Sequence, residues 1–378
     1  MSFVYLDNSA TTRVCQEAAD AALYAMTDCF GNPSSLHGMG VSAEELVGKA
    51  RAQVAAALGC EAREIVFTSG GTEANNLALF GAARALARRG RRIITTAIEH
   101  SSVESPAAAL EKEGFEVVRL RPGADGVVPE EALAEAMTPD TVLVSMMLVN
   151  NETGALQPVT AARRAVRRAG APALVHVDAV QAFGKLRFTP AALGADLVSV
   201  SGHKIHGPKG AGALFVARGA HILPVLAGGG QERGLRPGTE PVPAIAGLGA
   251  AAEKAHALLP ESTACFAGLR ALALELLAPL PFITINSPET GAPHILNVSV
   301  EGVRSETMLH FLAERNIYVS SGSACSRGAK SRVLLAMGLP DKRVDSALRI
   351  SFCRDNTGED VRRLAAALAE GARTLARR

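Results

Sequence analysis

The stretch TVLVSMMLVN, residues 141–150, decides the fold. Its apolar residues run on without the alternation of a strand that has one wet face. It therefore reads as a strand covered on both sides, which is the setting of a parallel sheet between helices. Upstream, REIVFTS (63–69), RRIITTAIEH (91–100) and FEVVRL (115–120) read as further strands. Downstream, ALVHVDAV (173–180), ADLVSVSG (195–202) and GALFVAR (212–218) do the same. Helical patterns separate several of them: TEANNLALFGAARALARRG (72–90), with Gly90 expected to close it, then segments near 103–113 and 160–169. This rhythm predicts an α/β fold with a mostly parallel seven-stranded sheet and helices on both faces.

The flanking segments read differently. SAEELVGKARAQVAAALG (42–59) has the pattern of an amphipathic helix with Gly59 just past its end. After Pro243 come an Ala- and Leu-rich helix to about 258 and another near 262–277. Strand-like FITINS (282–287) and HILNVSV (294–300) follow, then a helix near 305–314, IYVSSGSAC (317–325), ALRISFC (347–353) and a last helix over about 358–376. A chain of 378 residues is long for one core. The expected organisation is a large domain over 16–255 and a smaller α+β domain from 1–15 and 256–378.

Composition narrows the class. With 48% hydrophobic and 20% charged residues the chain is globular rather than disordered. It has no Trp and only 4% aromatics, so a stacking platform for nucleic-acid bases is poorly supplied. Thirty-nine basic against 37 acidic side chains give a net charge of +2, which is no signature of a polyanion binder. Two arginine clusters, Arg88, Arg89, Arg91 and Arg92, then Arg163, Arg164, Arg167 and Arg168, read as solvated helix ends. The six cysteines show no C-x-x-C pair, which argues against a zinc site or a disulfide framework. Free thiols, no signal-peptide pattern and no uninterrupted apolar run of about 18 residues lead to the expectation of a cytoplasmic protein without a membrane partner.

Ligands of open α/β sheets bind beyond the carboxyl ends of the strands, and four clusters lie at such ends. TSGGTE (68–73) offers a glycine turn and a helix start, which either cradle a phosphate or merely cap the helix. IEHSS (98–102) holds His100, open to a catalytic or a structural role. HVDAVQ (176–181) ends a strand on Asp178, suited to an ion pair, a cap or a protonated ring nitrogen. SGHKIHGPKGAG (201–212) puts Ser201, His203, Lys204 and Lys209 in a glycine-rich turn. A lysine there can serve as an amine nucleophile or base. Together the four suggest pyridoxal 5′-phosphate.

The chain closely resembles the cysteine desulfurases of the NifS/IscS type, class V aminotransferase-like enzymes of PLP fold-type I. The resemblance rests on nine motifs in order: YLDNSATT (5–12), GNPSSLH (31–37), EIVFTSGGTEANNLA (64–78), VNNETGALQPV (149–159), HVDAVQAFGK (176–185), SGHKIHGPKGAGAL (201–214), GGGQERGLRPGTE (228–240), NVS (297–299) and SSGSACS (320–326). It implies that Lys204 carries the cofactor and that Lys209 belongs to the supporting turn. It implies that Gly71, Thr72, Ser201 and His203 hold the phosphate, that Asp178 keeps the pyridine nitrogen protonated and that Gln181 bonds the phenolic oxygen. His100 would stack on the ring and shuttle protons. Asn32, Asn151 and Arg349 would orient the substrate carboxylate, with Asn151 also beside the cofactor. Thr239 would reach the phosphate bound by the other subunit of a homodimer.

The implied reaction converts L-cysteine to L-alanine and leaves the sulfane sulfur as a persulfide on Cys325, to be passed to a protein or thiol in iron–sulfur assembly or thiolation. Cys325 lies among Ser, Gly and Ala, with Arg327 and Lys330 near enough to favour thiolate. Two departures stand out. The loop after Cys325 looks about two residues shorter than in IscS-like members, judged from its spacing to AMGL. The chain ends at Arg378 straight after a helix, where such members carry a tail that docks a scaffold. The acceptor is therefore left open. Selenocysteine lyase or a β-lyase is the alternative activity, and a sulfur-relay protein that only binds is the alternative of another class.

Overall fold

The computed structural model of the chain describes residues 3–321 and 330–375. Its strands are β1 (Val4–Tyr5), β2 (Ile65–Thr68), β3 (Arg92–Thr96), β4 (Glu116–Leu120), β5 (Thr141–Met147), β6 (Leu174–Asp178), β7 (Leu197–Ser201), β8 (Gly212–Val216), β9 (Ile283–Ile285), β10 (Ile295–Val300), β11 (Ile317–Tyr318) and β12 (Ala347–Ser351). Seven of them form one sheet in the order β2-β8-β7-β6-β5-β3-β4. All pairs are parallel except those of β8, which runs against both β2 and β7. Every residue of β5 is buried, as its lack of polar alternation leads one to expect.

The strand order reverses between β3 and β5. The crevice at the carboxyl ends of β3, β5, β6 and β7 is therefore where a ligand is expected. The outer edge of the sheet at β2 is closed by side chains. Arg51 Nη1 (2.9 Å) and Arg233 Nη2 (3.2 Å) donate to the Ile65 carbonyl, and Phe67 N donates to Glu232 Oε2 (2.9 Å). Glu232 also receives both Arg51 amino groups at 2.7 Å. The motif at 228–240 thus pairs the edge that would otherwise be left open to another strand.

A second core has its own sheet, antiparallel in the order β12-β10-β9, and a parallel pair β1-β11. Phe266, Leu269, Val298, Ile350 and Leu364 pack in it, and Val4 and Leu6 reach into it from the N-terminal segment. Ala18 already belongs to the core of the large sheet. Helices Val242–Ala257 and Leu259–Leu277 meet at a bend of 71°, the first packed on the large core and the second on the small one. Among the described residues no single helix is long and apolar enough to cross a membrane.

Three expectations need correction. The helix that was to run to Gly90 ends at Leu86. A Cβ at Gly90 would lie 1.9 Å from the Asp140 carbonyl oxygen, so the glycine serves a close backbone approach rather than a cap. The arginine clusters are not simply solvated helix ends: Arg92 opens β3 and pairs with Glu116, Arg163 pairs with Asp196, and Arg164 pairs with Glu130. The pattern read over 42–59 begins earlier, at Gly38, where His37 Nδ1 accepts from Gly40 N.

Candidate active site

A cavity of about 570 Å³ opens at the carboxyl ends of the strands. Its wall brings together Gly71, Thr72, His100, Asn151, Asp178, Gln181, Ser201, His203, Lys204 and Arg349, residues from six separate stretches of sequence. Asn32 and Thr239 are exposed and are not part of this wall in the single chain. Cys325 lies outside the described residues, while Lys330 and Arg332, just beyond it in sequence, line the cavity.

Each side chain is set by its element. Lys204 ends a one-turn helix that follows β7 directly, and its Nζ donates to the carbonyls of Ser9 (2.5 Å) and Ala10 (2.8 Å). Asp178 is the last residue of β6 and is buried. Its hydrogen bonds come from neutral donors, Asn75 Nδ2 at 2.8 Å and Val180 N at 3.0 Å. His100 caps helix Ser101–Lys112: its Nδ1 accepts from Ser102 N at 3.1 Å, so Nε2 carries the proton of the neutral ring. Burial lowers its pKa, with Lys204, Arg332 and Arg349 adding to the effect and Asp178 opposing it. His203 is pushed down to about 4 by burial and by Lys204 and Lys209. Arg349, in the middle of β12, donates to the Asn151 carbonyl (3.1 Å) and pairs with Asp7 (2.8 Å).

Sequence reasoning missed Asn75, Ser102 and Glu99. Asn75 Nδ2 donates to Ser102 Oγ (2.8 Å) as well as to Asp178, and Ser102 Oγ lies 2.8 Å from His100 Nδ1. A buried chain of hydrogen bonds thus joins Asp178 to His100. Its one trace in the sequence is an asparagine on the apolar face of TEANNLAL. Glu99 accepts from Thr96 Oγ1 (2.7 Å) and Met147 N (3.0 Å), and burial pushes it up to about 8. Burial thus favours its neutral form.

The wall suits pyridoxal 5′-phosphate on its own chemistry. The N-terminal turn of helix Gly71–Leu86 and the side chains of Thr72, Ser201 and His203 supply donors around one end, as a phosphate needs. The carboxylate of Asp178 and the amine of Lys204 are at hand for a ring nitrogen and an aldehyde. Ser9 Oγ, Asn75 Oδ1 and Glu99 Oε2 are buried and have no partner among the described residues, and all three residues line the cavity. Of the described cysteines, none is in a disulfide, and burial raises Cys60 to about 12 and Cys353 to about 11.

The description Aminotransferase class-V matches residues 4–364. A protein named cysteine desulfurase IscS from Methanosarcina thermophila is 43% identical over 364 residues, 96% of this chain and 90% of its own length. Another of that name from Serratia proteamaculans is 43% identical over 366 residues, 95% of this chain and 90% of its own. Among solved structures, a NifS-like protein superposes with a TM-score of 0.92 at 40% identity, covering 98% of this chain and 99% of its own. DndA from Streptomyces lividans superposes at 0.78 and 42% identity, covering 92% and 99%. The chain belongs to the class-V aminotransferases, and within them to the cysteine desulfurases of the NifS/IscS type. Members of this family work with pyridoxal 5′-phosphate.

Proposed function

We propose that the chain takes sulfur from L-cysteine, releasing L-alanine and holding the sulfur as a persulfide on Cys325 for transfer to an acceptor. The observation that carries this reading is the convergence of Lys204, Asp178 and His100 on one cavity, beside the donor-rich start of helix Gly71–Leu86.

In this reading Gly71, Thr72, Ser201 and His203 bind the cofactor phosphate, Asp178 faces its ring nitrogen, Gln181 its phenolic oxygen and His100 its ring. When bound, the cofactor supplies an electron sink for the pair left as the substrate Cα proton departs. Lys204 Nζ takes that proton, and the carbonyls of Ser9 and Ala10 hold the amine in place. Arg349, with Asn151 and Asn32, orients the substrate carboxylate through the guanidinium fork. His100 Nε2, fixed by the cap at Nδ1, is set to hand a proton to or from the substrate. The Cys325 thiolate attacks the substrate sulfur: an S–S bond forms, the C–S bond breaks, and its electron pair stays with the alanine fragment, which takes up a proton. An acceptor protein or thiol, in iron–sulfur assembly or thiolation, then removes the outer sulfur.

The same reading makes the enzyme a cytoplasmic homodimer in which Thr239 reaches the partner's phosphate. Support for that reach comes from the anchoring of its loop, by Glu232 on Arg51 and by Arg236 on Glu73 in the first turn of helix Gly71–Leu86. It also takes residues 16–255 as the large domain and 1–15 with 256–378 as the small one, a division supported by the core of the small sheet, whose buried members all come from 4–6 and 266–372. The test is alanine and sulfide formation from L-cysteine with a reductant, for the parent and Cys325→Ala. Loss in the variant alone is the expected result. Equal activity in both would remove Cys325 from the chemistry and favour a lyase.

A further inference from the structure

Lys185 is a buried lysine with no part in the chemistry above. It lies four residues after Gln181 in the turn that follows β6, and it is buried. Its Nζ donates to Gln181 Oε1 at 3.2 Å. Gln181 Nε2 donates in turn to the Ser9 carbonyl at 2.9 Å, the same oxygen that receives Lys204 Nζ. A carbonyl oxygen can only accept, so the Ser9 contact puts the amide nitrogen on that side. The amide oxygen then faces Lys185, and one N–H of Nε2 is left for the cavity that Gln181 lines.

We propose that Lys185 is a positioning residue: by holding Gln181 Oε1 it fixes the side-chain amide so that an N–H, not an oxygen, faces the phenolic oxygen of the cofactor. This rests on the reading that the cavity binds pyridoxal 5′-phosphate. The direction matters, because a donor favours an anionic ring oxygen and an acceptor repels it. The site is costly to build. Burial, with Lys204 and Arg349 nearby, pushes Lys185 down to about 7. Even as a neutral amine, Nζ keeps N–H groups to donate. Without it, Gln181 Oε1 would be a buried acceptor lacking a partner, and the amide would turn toward whatever donor it could reach.

The experiment measures pyridoxal 5′-phosphate affinity by titration of apo-protein, and the absorption band of the bound cofactor, in five proteins: parent, Lys185→Met, Lys185→Gln, Gln181→Ala and the double variant of Lys185→Met with Gln181→Ala. Lys185→Met is expected to weaken cofactor binding about tenfold, the scale of one hydrogen bond to a charged group, and to shift the band as Gln181→Ala does. The double variant is expected to be no worse than Gln181→Ala alone, since Lys185 acts through Gln181. Lys185→Gln, whose amide can still donate to Gln181 Oε1, is expected to restore the parent band, and it decides the matter if the Met variant does not fold. Additive losses in the double variant, an unshifted band in Lys185→Met, or a Gln variant no different from Gln181→Ala would each overturn the proposal. Failure of the parent to bind pyridoxal 5′-phosphate would instead sink the functional reading beneath it.

Discussion

Asparagine at position 178 separates the charge of Asp178 from its place in the hydrogen-bond network. In the parent, Oδ1 accepts from Val180 N and Oδ2 from Asn75 Nδ2. An asparagine has one oxygen and one NH2. Its oxygen can stay on the Val180 N–H, a backbone donor that cannot turn away. Its NH2 would then meet the NH2 of Asn75. Asn75 can resolve that clash by turning over, because its own Oδ1 is buried without a partner among the described residues. Ser102 Oγ, now facing an acceptor, can donate to it. That hydroxyl then releases His100 Nδ1, and the Asn75 NH2 takes the place where its oxygen had no partner among the described residues, so the structural loss is a stranded amide donor, about 1–3 kcal/mol. The catalytic loss is larger, because a fixed anion opposite a developing charge in a dry site is worth about 100- to 1,000-fold in kcat. Alanine at 178 strands both donors and costs about 2–6 kcal/mol in addition to the activity. Urea unfolding of the apo-proteins and alanine formation from L-cysteine, at matched cofactor content, read the two effects separately. An asparagine variant at full cofactor occupancy with kcat within about threefold of the parent would refute the assignment of Asp178 to the ring nitrogen.

Glu232 holds the β2 edge with a bidentate pair to Arg51 and a bond from Phe67 N, and its side chain is 2% exposed against 18% for Arg51. Glu232→Gln is expected to cost about 2–4 kcal/mol, less than a fully buried pair because water can reach the arginine, and thermal unfolding checks it. The acid side of the stability profile should carry His176, which is fully buried between Ser145 Oγ (2.8 Å) and Ser199 Oγ (2.9 Å) and pushed down to about 3 by burial. A depressed histidine binds its proton more readily in the unfolded chain, so its contribution is whole above pH 6.5 and is lost as pH falls toward 3. At about 1.4 kcal/mol per pKa unit, the loss approaches about 4 kcal/mol near pH 3.5. His176→Gln should flatten that limb of an apo-protein unfolding series, and an unchanged slope would show that the group does not titrate there.

The parts of this fold that the sequence announces are those in which a residue's surroundings follow from its neighbours in the chain. β5 announces itself because a strand covered on both faces has no polar alternation. Lys204 does so because a cation right after an apolar strand is conspicuous. The parts that stay hidden depend on distant partners. Lys185 looks like any lysine at a turn until Gln181 is tied to the carbonyl of Ser9, 172 residues away in sequence. Asn75 reads as a polar break in a helix until Asp178, 103 residues on, is brought against it. Helix Gln16–Thr27 is hidden for another reason: Leu23, Tyr24 and Met26 are exposed while small Ala18 and Ala25 face the core, so the apolar period is inverted.

The one antiparallel strand of the large sheet explains why the lysine remains in the site. A parallel neighbour after β7 would need a crossover of a dozen or more residues to return the chain to the other end of the sheet. That path would lead away from the crevice. Because β8 runs back against β7, ten residues, 202–211, suffice to turn at the carboxyl end, and Lys204 is held there by the turn itself. The same reversal brings Gly212 opposite Thr68, so close to Gly70 that a Cβ on Gly212 would lie 2.6 Å from the Gly70 Cα. Gly70 has φ +151°, a conformation that side chains disfavour, and it leads directly into helix Gly71–Leu86. The start of that helix and the lysine turn are thus two sides of one backbone contact. The anion-binding donors and the reactive amine come together because one strand points the other way.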